Sequence, residues 1–181
     1  MTIEPSFSSR TPDGDNRPRE VCDHCDFIHY TNPKVIVGIV ATWEERLLLC
    51  RRSIEPRSGF WTIPAGFMEV DESTQEGALR EAHEEAGARA TIDTLLAIYS
   101  IPRISQVQII YRATLDDPDV VAGEESLEVE LFEWSKIPWD DLAFPSVRWA
   151  LQHHREVEGK AHFVPFHNPE GETGDFSEMG L

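Results

Sequence analysis

Cysteine is scarce in this sequence: three among 181 residues, Cys22, Cys25 and Cys50. So few thiols argue against a disulfide framework and for a reducing compartment. Positive charge is scarce too, with 16 Lys and Arg against 33 Asp and Glu and a net charge of −17 at pH 7. A protein that holds nucleic acid by neutralising phosphates needs a basic face, so no nucleic-acid partner is expected. An anionic small molecule stays open, because a divalent cation can bridge two negative partners. No apolar run is long enough to span a bilayer, and the opening "MTIEPSFSSRTPDGDNRPRE" has no apolar stretch of the kind an export signal carries. A cytoplasmic protein without a membrane partner is the expectation. There is no internal repeat.

What is present reads as one α/β domain with polar ends. "NPKVIVGIVATW" and "RLLLCRR" have the β-branched and apolar content of buried strands, joined by the polar pair at 44 and 45. "SIEPRSGFWTIPAG", with two Pro and two Gly, reads as loop with a short extended piece near Trp61 to Ile63. "TIDTLLAIYSI", "SQVQIIYRATL" and "LEVELFEWSKI" read as three further strands, and "PSVRWALQHHREVE" as an amphipathic helix packing through Val147, Trp149, Ala150 and Leu151. Residues 1–20 read as a flexible arm and 161–181 as a mostly disordered tail.

The most informative stretch is "GFMEVDESTQEGALREAHEEAGA", residues 66–88. Ser73 and Glu76 form a capping box and Gly87 a left-handed stop, which predicts a helix from about Ser73 to Ala86. Glu81, Glu84 and Glu85 then share one face, while Ala78, Leu79, Ala82 and Ala86 lie on another. Like charges at this spacing repel, and Arg80 alone cannot neutralise three carboxylates. A solvated charged face is the plain alternative. A hard divalent cation with oxygen ligands would compensate the cluster, and the loop from Gly66 could add a backbone carbonyl.

Here the sequence resembles the Nudix hydrolases. Gly66, five residues, Glu72, seven residues, Arg80-Glu81, two residues, Glu84-Glu85, one residue and Gly87 fill every fixed position of that family's signature. The variable apolar positions are both alanine, Ala82 and Ala88. The resemblance implies a Nudix fold, a mixed β-sheet sandwiched between helices, over residues 34–160. It also implies metal-dependent hydrolysis of a nucleoside diphosphate linked to another moiety. Carried over by position, Glu84 and Glu85 would ligate Mg²⁺ or Mn²⁺ with the Ala65 or Gly66 carbonyl nearby. Glu81 would ligate metal or act as base, Arg80 would orient the carboxylates, and Glu72 would support them. A later acid often completes such a site. Glu128 is the expected one, with Glu124 and Glu125 behind it.

The wider texture, in "YTNPKVIVG", "LLLCRRSIEPRSGFWTIPAGFMEV" and "ESLEVELFEWSKIPWDDLAF", looks like the plant chloroplast FAD and ADP-ribose pyrophosphatases and their bacterial relatives. FAD, giving FMN and AMP, and ADP-ribose, giving AMP and ribose 5-phosphate, are therefore the expected substrates. Pro102 lies near the position where ADP-ribose-type members carry a proline. NADH is disfavoured, since "YSIPRISQVQ" stands where NADH pyrophosphatases carry their own motif. Arg51, Arg52 and Arg103 are candidate phosphate-binding residues. Phe60, Trp61, Tyr99 and Tyr111 are candidate stacking rings, each with a core role as the alternative.

Cys22 and Cys25 in "VCDHCDFIHY" have the spacing of one zinc-ribbon knuckle, so residues 21–33 read as a zinc-ribbon-like remnant. A four-cysteine site within one chain is impossible with the cysteines present. A site completed by His24 or His29, a site shared between two chains, and no metal all stay open. Cys50 reads as a small core residue. Resemblance also implies a homodimer. The rival readings are a non-catalytic Nudix-like nucleotide sensor, which the complete set of acids disfavours, and a zinc-ribbon nucleic-acid binder, which the charge and missing cysteines disfavour.

Overall fold

The computed structural model describes residues 4–179. The chain divides into two units, one ending at Pro33 and the other beginning at Lys34.

The first unit is a three-stranded antiparallel sheet of β1 (Phe7–Arg10), β2 (Arg19–Cys22) and β3 (Ile28–His29). The mobile arm expected over 1–20 is, from Phe7 onward, a paired strand and its connection, while residues 1–3 lie outside the described residues. Its polar side chains are the reason it holds. Ser6 and Ser8 donate to Asp23 at 2.8 and 2.7 Å, and Arg10 donates to Asp26 at 2.6 Å. Beyond Cys22 the chain turns tightly, with the Asp26 N–H on the Cys22 carbonyl and the Cys22 N–H on that of Phe27. The N–H groups of His24 and Cys25 face the Cys22 sulfur and hold its thiol below the ordinary range. Among the described residues no three His, Cys, Asp or Glu side chains gather so as to hold an ion, here or elsewhere.

The second unit is built on β4 (Lys34–Trp43), β5 (Arg46–Arg52), β6 (Trp61–Thr62), β7 (Ala65–Phe67), β8 (Ala90–Ile101), β9 (Gln106–Leu115) and β10 (Ser126–Glu133). The sheet order is β10-β5-β4-β9-β8, and the β4–β9 pair is parallel. β4 and β5 pair only at their hairpin end, Thr42 with Leu47 and Trp43 with Arg46. Beyond it they part, β6 pairing with β5 and β7 with β4. That fork carries the chain through Pro64 into the loop ahead of the first helix.

Strand alternation gives the sheet two apolar faces. Val37, Ile39, Ala41 and Leu48 face α1 (Thr74–Ala86), which packs through Ala78, Ala82 and Ala86, each fully buried. These small side chains let the helix sit close to the sheet. Val40, Leu49, Tyr99 and Ile110 face α2 (Pro145–Glu156), which buries Val147, Trp149, Ala150 and Leu151. Helices on both faces of a mixed sheet make the αβα sandwich that the sequence predicts. α1 has the predicted ends: Ser73 and Glu76 cap each other reciprocally, and Gly87 closes the helix at φ 59°.

The C-terminal segment differs from the disordered tail that its composition suggests. Phe166 exchanges backbone hydrogen bonds with Leu96 and Ile98 at 2.9 Å each, extending the edge of the sheet beside β8. Asn168 donates to and accepts from the Ser100 backbone at 2.8 Å, and Trp149 donates its indole N–H to Glu172. A helical turn, Phe176–Met179, ends the described chain, and residues 180 and 181 lie outside it.

Candidate functional site

The fork between β4 and β5 and the near face of α1 meet at a cavity of about 890 Å³. Glu81, Glu84 and Glu85 line one side of it, together with Ala65 and Gly66 of β7. Arg80 sits among the acids and makes five hydrogen bonds: two to Glu72 at 2.9 and 3.0 Å, one each to Glu81 and Glu84 at 2.8 Å, and one to the Phe67 carbonyl at 3.0 Å. All five guanidinium donors are thereby used. Glu72 also accepts the Glu69 N–H at 2.7 Å, and the Arg80 fork with this amide holds its carboxyl down at about 2.

Glu85 is the most enclosed of the acids, 6% exposed, with the Ala65 N–H donating to it at 3.1 Å. Burial pushes its carboxyl up to about 8 against that amide and the Arg52 charge. Burial raises Glu81 as well, with Arg80 opposing. A Cβ built on Gly66 would lie 2.4 Å from Cδ and both carboxylate oxygens of Glu81, so β7 runs directly against that carboxylate.

The three candidate later acids divide between two surroundings. Glu128 lies opposite Arg51 in the β10–β5 pair, 3.5 Å from its guanidinium and away from the cavity, because a register shift between Ser126 and Glu128 turns it outward. Glu124 and Glu125 line the cavity instead, and Glu125 adds to the repulsion felt by Glu81 and Glu85. Their connector docks on the end of α1, with the Val121 N–H on the Ala86 carbonyl at 2.8 Å and the Gly123 N–H on that of Glu85 at 3.1 Å. A Cβ at Gly123 would stand 1.8 Å from the Glu84 carbonyl oxygen, so only glycine permits this approach.

Arg52 and Arg103 line the cavity, whereas Arg51 is held by Glu128 and by the Gly59 carbonyl. The four proposed stacking rings do not line it. Trp61 packs edge-on against Phe132, Tyr99 bonds His153 at 2.7 Å, Tyr111 bonds Thr74 at 2.6 Å, and Phe60 lies under Arg57. The cavity rings are Phe67, beside Gly66 of the signature, and Phe144 and Phe176, from segments whose sequence gives no ligand signal. Cys50 is buried in β5, its thiol pushed up by burial.

This donor set is all oxygen, which suits a hard cation such as Mg²⁺ or Mn²⁺. Arg80, all of whose donors are used, bonds Glu81 and Glu84 but not Glu85, and burial raises Glu81 and Glu85, so a bound cation would favour their charged forms. The residues fit such an ion by their chemistry, although Glu81 and Glu84 here face Arg80 rather than one another.

Comparison with known proteins agrees with this geometry. Residues 32–160 match the NUDIX domain family and residues 5–31 the Nudix N-terminal family. An ADP-ribose pyrophosphatase of Methanocaldococcus jannaschii is 30% identical over 119 residues, covering 64% of this chain and 69% of that protein. The NAD-capped RNA hydrolase NudC of Salmonella heidelberg is 27% identical over 119 residues, 65% of this chain. The match spans only 46% of that protein's length. Among solved structures, a NUDIX hydrolase from Nitrosomonas europaea superposes with a TM-score of 0.84 and 48% identity over 90% of this chain and 93% of that one.

Proposed function

The chain belongs to the Nudix hydrolase family, and on that premise we propose that it cleaves ADP-ribose or FAD at the diphosphate with Mg²⁺ or Mn²⁺. The observation that carries this reading is the mixed charge of the cavity. Glu81, Glu84, Glu85, Glu124 and Glu125 line it together with Arg52 and Arg103, and the Arg52 charge acts on Glu85. A diphosphate bound there would meet both carboxylates able to hold a cation and guanidinium groups. Similarity to the ADP-ribose pyrophosphatase favours ADP-ribose, and the sequence texture described above favours FAD.

When bound, the cation would be held by Glu84 and Glu85 with the Ala65 or Gly66 carbonyl, and would neutralise phosphate charge and acidify a water. This chain's own residues do the rest. Glu81, raised by burial, accepts the proton of the attacking water. Water adds at one phosphorus and the bridging P–O bond breaks, leaving two phosphomonoesters. Arg80 keeps the carboxylates in place, and Glu72 keeps Arg80 in place. Cytoplasmic residence and a homodimer belong to the same reading.

The test is turnover with Mg²⁺ of ADP-ribose, FAD and NADH in parallel. AMP with ribose 5-phosphate, or AMP with FMN, is the expected result. Faster cleavage of NADH than of both others would overturn the substrate assignment, and cleavage of none would overturn the function. One further comparison bears on the later acid. Glu125→Gln should lower kcat by roughly 10- to 100-fold, as for loss of a group supporting a metal site, while Glu128→Gln should stay within about twofold of wild type. The reverse order would return the role to Glu128.

A further inference from the structure

The cavity also carries aromatic rings, Phe144 and Phe176, that the diphosphate chemistry does not use. Arg52 lies over the Phe144 ring at 5.2 Å, and Phe144 meets Phe176 at 6.3 Å between centroids. Arg57 and Arg103 each stand 5.6 Å from the Phe176 ring, and Arg57 also covers Phe60 at 3.6 Å. The result is a cluster of guanidinium groups and aromatic rings. Arg52, Phe144, Phe176 and Arg103 line the cavity. Phe176 is only half-buried, so part of a ring already flanked by cations remains available.

Phe176 is there because the C-terminal segment is tied down upstream. Phe166 and Asn168 bind the β8 backbone, Glu172 takes the Trp149 indole N–H, and Asp175 stands 3.8 Å from Arg103. These ties are spread over ten residues and lead the chain to the cavity, which Gly174 and Phe176 then line. A planar π-face beside fixed cations suits a flat heterocycle carrying a phosphate, since stacking accepts any base while the cations hold its anion.

Building on the nucleotide reading above, we propose that the C-terminal segment determines specificity, with Phe176, beside Phe144, stacking on the planar base of the bound nucleotide. A sugar phosphate without a flat ring gains nothing from this wall, and the segment after α2 becomes part of the binding site.

The test separates ring recognition from hydrolysis. AMP and ribose 5-phosphate are each titrated by calorimetry into the full chain, as wild type and as Phe176→Ala, Phe176→Leu and Phe176→Trp. The Kd for AMP should rise about tenfold in the Ala and Leu proteins and stay within about twofold in the Trp protein. Binding of ribose 5-phosphate should be the same in all four. Leu keeps the apolar filling that seats the segment but has no π-face, so an unfolded tail in the Ala protein does not blur the outcome. AMP affinity unchanged by Leu, or wild type binding AMP no tighter than ribose 5-phosphate, would overturn the proposal. Turnover of ADP-ribose and FAD is read separately: its absence sinks the substrate reading, whereas ring recognition stands or falls on the AMP titrations.

Discussion

Glu85→Gln should lower turnover by about 10³-fold while leaving the metal-free protein more stable than wild type at pH 8. The two effects have opposite signs because the same burial causes both. Glu85 is 6% exposed and its carboxyl is pushed up to about 8, from an ordinary value of 4.5. Between those two values the folded protein keeps a proton that the unfolded chain releases. Stability therefore falls as pH rises through this window, by at most about 1.4 kcal/mol per pH unit for one such group. Over the whole window the loss is of order a few kcal/mol. Glutamine has the shape of the neutral carboxyl, and its oxygen can still accept the Ala65 N–H. It does not ionise, so the pH-dependent loss disappears. Urea unfolding in chelator at pH 5 and pH 8 measures it: the two proteins should be close at pH 5 and separate at pH 8, with the variant the more stable. Added Mg²⁺ should then stabilise wild type and leave the variant nearly unmoved. A variant less stable at pH 8 would mean that burial does not keep Glu85 protonated, and one that retains turnover would remove Glu85 from the metal site.

The helix that bears Glu85 was legible in the sequence because its ends are written in local chemistry. Ser73 and Glu76 bond each other, Gly87 takes the left-handed turn, and three alanines at helical spacing mark the buried side. The central strands were legible from their β-branched and apolar runs, which the sheet buries on both faces. Which of the later acids lines the cavity was not. That depends on a register shift in β10 and on Val121 and Gly123 bonding the last carbonyls of α1 through backbone alone. Backbone bonds of that kind leave no side-chain pattern, and the glycine that allows them resembles any loop glycine. The ring wall failed differently. Trp61, Tyr99 and Tyr111 looked available because they are large and partly polar, yet each meets an interior partner. Phe176 stands in a Gly- and Glu-rich stretch that composition reads as tail, and only the bonds of Phe166, Asn168 and Glu172 bring it back to the cavity.

Gly66→Ala provides the sharpest separation of backbone from site. Gly66 is not among the glycines with positive φ, so its backbone conformation is open to alanine. At such a position the substitution ordinarily stabilises by about 0.4–1 kcal/mol, by narrowing the unfolded chain. Here the new Cβ would stand 2.4 Å from Cδ and both oxygens of Glu81. The strand cannot retreat easily, because Gly66 pairs with Val37 of β4. Nor can the carboxylate leave freely, since Arg80 donates to it at 2.8 Å. One of the two must shift, and overpacking of this kind costs about 1–3 kcal/mol. The expected outcome is a destabilised protein with kcat reduced by about 10²-fold or more, the scale of a misplaced base. Combining Gly66→Ala with Glu81→Ala decides the cause. Removing the carboxylate frees the space, so stability should return towards that of Glu81→Ala alone, and the two changes should be strongly non-additive in stability. Activity should not return, because the proton acceptor is gone. Additive losses of stability would mean that Gly66 is required by the β7 backbone and not by the Glu81 carboxylate against which it is packed.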